Sequence, residues 1–171
     1  VAGTNNSRRH LLKKISATAP VVMAVSSKPA LANFCTVSGL MSGNLSNPND
    51  VQSCGGLDPA SYIGDSTYGV YKFQDVFGAL WRGQGGGVVW DNAITFEEVL
   101  NLPGNQDLYE FGAHVVAAYI NAMEVQGYGQ TPHDVITITS EIIGFGVYQI
   151  PGTNGSTLDA EGYVDFIKQT F

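Results

Sequence analysis

Two groups of residues combine types and spacing that could do chemistry. Glu110 and His114 stand four positions apart, so on a helix they would share a face and could share a metal ion or a proton. No second motif completes a ligand set or an acid–base pair around them, and a hydrogen-bonded structural histidine is the expected reading. His133-Asp134 follows Thr131-Pro132, where an aspartate is favoured by the helix dipole. Capping accounts for that pair without catalysis. Cys35 and Cys54 are the second group, the chain's two cysteines. In an exported protein an even pair implies a disulfide, worth about 3 kcal/mol for a loop of this size. Two buried thiols are the alternative, and two cysteines alone do not make a zinc site.

Two glycine-rich stretches invite a ligand reading and fail it. Gly83, Gly85 and Gly87 have the composition of a phosphate loop, but such a loop follows a strand and opens a helix. Here Val88-Val89-Trp90 comes afterwards, so a flexible connection is expected. The run from Gly152 to Glu161 offers oxygen ligands near a glycine turn but lacks the alternating acidic pattern of a calcium loop. A helix cap is expected there. The aromatic residues (8 Tyr, 8 Phe and 2 Trp) read as core and subunit interface rather than as a sugar platform. No nucleophile has a base beside it, so neither an enzyme nor a cofactor is expected.

The first 32 residues read like an export signal. Ser7-Arg8-Arg9-His10-Leu11-Leu12-Lys13 is a basic start, Ile15 to Val25 is apolar, and Ala30-Leu31-Ala32 has a small-residue cleavage pattern. Residue 1 is Val rather than Met, and the expectation drawn is that the segment works as part of the mature protein. Charge divides at the same place. Of eight basic side chains, five (Arg8, Arg9, Lys13, Lys14 and Lys28) precede Asn33, and all fifteen acidic residues follow it. The arm therefore carries +5 and the remainder −12, three cations against fifteen carboxylates. That asymmetry is the mark of an interaction arm. An acidic body argues against nucleic acid, which is bound by a basic face.

The chain of 171 residues, 44% hydrophobic and 13% charged, is long enough for one domain with a proper core. Low charge with plentiful small polar residues suits a secreted or surface protein. No apolar run reaches the roughly 20 residues that a membrane helix needs, since Pro20, Lys28 and Pro29 interrupt the longest. No stable membrane span is expected. Phe34 before Cys35 disfavours a lipid anchor, because lipoprotein signals place a small residue there.

The local pattern predicts a short amphipathic helix over 8–18 and then a strand over 21–25, where β-branched residues lie between prolines. Residues 33–66 read as an irregular, disulfide-stapled segment. Val70, Phe73 and Phe77 recur at helical spacing, followed by Trp81. Thr95 and Glu98 form a capping box that opens a helix over 96–101. The strongest pattern predicts a helix over 106–125, with Leu108, Phe111, Val115, Tyr119, Ala122 and Met123 on one face. Thr131-Pro132 opens another from 133, with a strand at 135–139 as the competing reading. A last helix is expected over 159–169, burying Tyr163, Phe166 and Ile167. The fold class is mainly α with a few short strands (α+β). It would be a single globular domain over 33–171, with its helical core over 67–171, one disulfide and an extended N-terminal arm over 1–32.

The start Ser7 to Lys13 is similar to a twin-arginine export motif, with Leu11 where phenylalanine is usual. Together with Pro29-Ala30-Leu31-Ala32, Cys35, Ser42-Gly43-Asn44-Leu45-Ser46, Cys54-Gly55-Gly56-Leu57 and Ala117-Ala118-Tyr119-Ile120-Asn121-Ala122, it resembles a group of uncharacterised exported bacterial proteins. Members often continue with a proline-glycine-aromatic motif after the glycines, where this chain has Asp58-Pro59-Ala60-Ser61-Tyr62. The resemblance covers scattered motifs over most of the chain and implies export, with no activity to carry over.

These readings converge on an exported structural subunit at the cell surface, self-assembling into a filament or pilus-like fibre. Its arm would pack into a neighbouring copy of the chain, with Arg8, Arg9, Lys13 and Lys14 against an acidic face and Val21, Val22, Met23 and Val25 as a donated strand. The alternative is a soluble periplasmic or secreted binding protein or enzyme of unknown type, whose residues 1–32 are a cleavable twin-arginine-type signal. A type IV pilin fits less well, because its long uninterrupted apolar helix with an early glutamate has no counterpart here.

Overall fold

The computed structural model describes residues 54–81 and 90–171. The expected arm elements over 8–18 and 21–25, residues 33–53 of the 33–66 segment, and the glycine loop 82–87 lie outside these residues.

Five α-helices follow one another within the described residues: α1 (Phe73–Phe77), α2 (Phe96–Leu100), α3 (Phe111–Glu124), α4 (Pro132–Phe145) and α5 (Ala160–Lys168). A two-stranded antiparallel hairpin sits between the last two, β1 (Tyr148–Gln149) and β2 (Thr157–Leu158), with Tyr148 opposite Leu158. The fold is therefore mainly helical with a small sheet. Residues 135–139 are helical, inside α4, and the capping signal at Thr131 explains why the β-branched run Val135 to Thr139 does not form a strand. The Thr131 hydroxyl accepts from the Asp134 N–H, and the Asp134 carboxylate accepts from the Thr131 N–H at 2.9 Å. Thr95 and Glu98 form the same reciprocal pair at α2, with Glu98 Oε2 2.8 Å from the Thr95 nitrogen. Each box satisfies N–H groups that a helix start leaves without partners.

Helix α3 is the centre of the described residues. Its residues Phe111, Gly112, His114 to Ala118, Ile120 and Asn121 are all buried, so burial runs around almost the whole helix rather than along one stripe. α2, α4 and α5 pack against it from different sides. The stripe read from the sequence is corrected accordingly: Phe111 and Val115 are fully buried, but Met123 is 46% exposed. The helix also begins at Phe111 rather than at 106. Tyr109 (φ 61°) and Glu110 (φ 57°) take left-handed backbone conformations, which a right-handed helix does not admit.

Aromatic rings join the other elements to this hub. Phe77 stacks on Phe96 at 5.9 Å, and both rings meet Tyr119 of α3 edge-on. Trp81 lies over Phe111 at 4.4 Å, and Phe73 meets Trp90 edge-on at 5.0 Å. Complete burial of each of Phe73, Phe77, Phe96 and Phe111 contributes about 1.5–3 kcal/mol. An isolated bridge between Lys72 and Thr95 aligns the chain entering α1 with the chain entering α2, through Phe73 N–H to Ile94 C=O at 3.0 Å and Phe96 N–H to Tyr71 C=O at 2.8 Å. The Ser140 hydroxyl donates to the Phe77 carbonyl at 2.7 Å and ties α4 to α1.

The first turn of α3 makes one exacting demand. The Trp90 indole lies so close to Gly112 that a Cβ there would stand 2.1 Å from its Cη2 atom. The indole is itself held, its N–H donating to the Gln106 carbonyl at 3.0 Å. Gly112→Ala therefore has to displace a buried ring. The expected loss is about 2–3 kcal/mol, to be read from the midpoint of a urea unfolding curve. A variant as stable as the wild type would refute the close packing of Trp90 on α3.

Candidate functional site

Two features, one towards each end of α3, bring polar chemistry together. The first involves Gly56 and Leu57 of the Cys-Gly-Gly-Leu run. Asn121 lies fully buried on α3, where an unpaired amide would be costly. Its Oδ1 accepts from the Leu57 N–H, and its Nδ2 donates to the Leu57 carbonyl, both at 2.8 Å. One side chain thus pairs with the backbone of Leu57 as a neighbouring strand would. The Tyr62 hydroxyl donates to the same Oδ1 at 2.8 Å. Beside it the Gly56 N–H donates to the Thr170 carbonyl at 3.0 Å. A Cβ on Gly56 would come within 2.8 Å of that carbonyl oxygen and 3.2 Å of Asn121 Nδ2, so the motif's second glycine is required by close approach.

The second feature is a cleft of about 350 Å³, whose lining includes Asp58, Ile63, Leu102, Asp107, His114 and Phe171. Each wall is set by a local device. Asp58 caps the 3-10 turn Pro59–Tyr62, its Oδ1 accepting from the Ser61 N–H and hydroxyl. These hydrogen bonds hold its carboxyl below the usual range. Asp107 is 2% exposed and serves the start of α3 across the left-handed turn. Its Oδ1 accepts from the Gly112 N–H at 2.9 Å and its Oδ2 from the Ala113 N–H at 3.0 Å. Burial outweighs those two bonds and pushes its pKa up to about 6.

His114 is 5% exposed and lies parallel to the Phe171 ring, with centroids 6.0 Å apart. Its Nδ1 is 2.7 Å from the Glu110 backbone oxygen. A carbonyl can only accept, so Nδ1 carries the proton. Burial holds the ring's pKa below its ordinary value. The neutral ring then presents a lone pair on Nε2. Phe171 follows Thr170, whose carbonyl holds Gly56 and whose hydroxyl bonds the Tyr128 hydroxyl at 2.9 Å. The docking of the glycine motif and the shape of the cleft are thereby coupled.

The structure bears out the hydrogen-bonded histidine and two caps. Glu110 and His114 do meet, but through the glutamate's backbone carbonyl, and the Glu110 side chain stands exposed. Asp134 is the α4 cap, and His133 beside it is exposed. The run Gly152 to Glu161 ends in a cap, with Asp159 Oδ1 accepting from the Gly162 N–H at 2.8 Å. Among the described residues no group of three His, Cys, Asp or Glu side chains is placed to hold a metal ion. Cys54 is half-buried, while its expected partner Cys35 lies outside the described residues. So do Arg8, Arg9, Lys13, Lys14, Val21, Val22, Met23 and Val25. Asp107 and Asn121 were missed. Asn121 did leave a signal, as a polar residue within an otherwise apolar helix. No family model, curated protein or solved structure matches this chain.

Two measurements test this construction. Asn121→Ala leaves the Leu57 N–H and carbonyl and the Tyr62 hydroxyl without their partner. A loss of about 2–4 kcal/mol is expected in chemical denaturation, and a change below 1 kcal/mol would contradict the clamp. Asp107 binds its proton more tightly in the fold than in the unfolded chain. Its contribution is therefore complete below pH about 4 and is lost as pH rises through about 6. Asp107→Asn should flatten that stretch of the thermal-stability profile. It should also lower Tm throughout, because an amide can accept from only one of the two N–H groups. An unaltered slope would show that another group carries it.

Proposed function

We propose that this chain is an exported structural subunit that assembles with copies of itself into an extracellular filament. The observation that carries the reading is the charge division, +5 before Asn33 against −12 after it. Such a chain offers both halves of a head-to-tail contact, and head-to-tail contacts propagate into fibres unless they close a ring.

The described surface suits a basic, apolar partner segment. Many carboxylates are engaged as caps, yet the side chains of Asp75, Glu110, Glu161 and Asp165 are exposed and make no hydrogen bond among the described residues. Val70 is 69% and Phe145 82% exposed, apolar area that a partner could cover. Burial of Val21, Val22, Met23 and Val25 on a neighbour would contribute about 1.5–3 kcal/mol each before ordering costs. A Cys35–Cys54 disulfide would tie the segment that follows the arm to Cys54.

The second reading, a binding protein or enzyme whose residues 1–32 are a cleaved export signal, is favoured by the His114 cleft. The test separates them. Negative-stain microscopy of the full chain should show fibres, and deletion of residues 1–32 should leave a folded monomer that does not polymerise. Filaments from the truncated chain would defeat the arm mechanism. A chain from its own cells that begins at Asn33 by N-terminal sequencing and runs as a monomer would favour the second reading.

A further inference from the structure

We propose that the cleft beside His114 binds a small organic cation, an alkylammonium or guanidinium group on a short apolar stem. The cleft's volume of about 350 Å³ lies in the range of small-ligand pockets, roughly 300–1,000 Å³. Its lining is of two kinds. Ile63, Leu100, Leu102 and Phe171 make an apolar wall, while Asp58, Asp107, Glu110 and His114 bring polar groups to it.

Three features select a cation. His114 is more than nine-tenths buried, and its proton is committed to the Glu110 carbonyl. What it offers the cleft is the Nε2 lone pair, an acceptor without a partner among the described residues. A ligand must bring an N–H or O–H donor to it. The carboxylates add the sign. Both Asp107 oxygens already accept backbone N–H groups, but Asp58 uses one oxygen for Ser61, and the Glu110 carboxylate is exposed. The lining holds three acidic residues and no lysine or arginine, which disfavours an anion. The apolar wall then favours a stem of a few methylene groups over a bare inorganic cation, since apolar surface gains by leaving water.

The test uses the full chain and three probes of one shape: n-butylammonium, n-butanol and n-butyrate, at constant ionic strength. The readout is the His114 Cε1–H resonance in NMR, with exposed His133 as the internal reference. Butylammonium should shift His114 saturably and leave His133 in place, and the other two probes should not. Glu110→Gln, a change on an exposed side chain, should weaken that binding about fivefold. Equal shifts from all three probes, a shift of both histidines, or no shift at all would overturn the proposal. So would unchanged affinity in Glu110→Gln together with full affinity in Ile63→Ala. The proposal does not rest on whether the chain forms filaments, and in a fibre the same histidine resonances are read by magic-angle-spinning NMR.

Discussion

Burial of helix α3 is the constraint on which the rest of the molecule depends. A polar side chain on a helix enclosed on nearly every side is carried at little cost where all its groups are paired. Asn121 is such a residue, and its partners come from Leu57 and Tyr62, at 64 and 59 positions' separation in sequence. The pairing fixes where the Cys-Gly-Gly-Leu segment lies. Gly56 then reaches Thr170, and the last turn of the chain is held against the same end of α3. A single amide organises the first and last parts of the described chain at once. An apolar residue of similar volume would fill the space but would leave the Leu57 backbone without partners.

The acidity of the body has a structural use that net charge alone conceals. Asp58, Glu98, Asp134 and Asp159 each accept from N–H groups at helix starts, and Asp107 does the same for α3. Carboxylates are favoured there by unpaired N–H groups and by the helix dipole. A helix as short as α2 can therefore still have a satisfied start. The acidic face available to a partner is smaller than −12 implies, because a capping carboxylate has part of its acceptor capacity filled. Exposed carboxylates such as Asp75 and Asp165 are what a basic arm would meet.

Legibility from sequence followed the range of the interactions involved. The boxes at Thr95 and Thr131 are local, three residues across, and both helix starts were readable. The last helix was readable too, because Tyr163, Phe166 and Ile167 face the core at helical spacing. The start of α3 was not. Tyr109 and Glu110 carry no residue-level mark of left-handed backbone, which glycine or asparagine would have supplied. Met123 fits the apolar stripe yet is exposed, since the neighbours of α3 cover its other faces. Gly112 reads as a weak helix former and is in fact a slot for Trp90, a contact set by tertiary packing. The cleft was illegible for the same reason: Asp58, Asp107, His114 and Phe171 are brought together only by the fold.

The left-handed turn before α3 joins stability to the chemistry of the cleft. Residues held at positive φ without being glycine cost of order 1–3 kcal/mol each, and persist only when their surroundings over-determine them. Here the surroundings are identifiable. Asp107 grips two N–H groups beyond the turn, Gln106 holds the Trp90 indole, and Phe111 is pinned beneath Trp81. The turn in turn delivers the Glu110 carbonyl to His114 and fixes which ring nitrogen bears the proton. Loosening Asp107 would thus act on His114 through the backbone between them, without touching the ring. The acceptor that His114 shows to the cleft is a property of the whole start of α3.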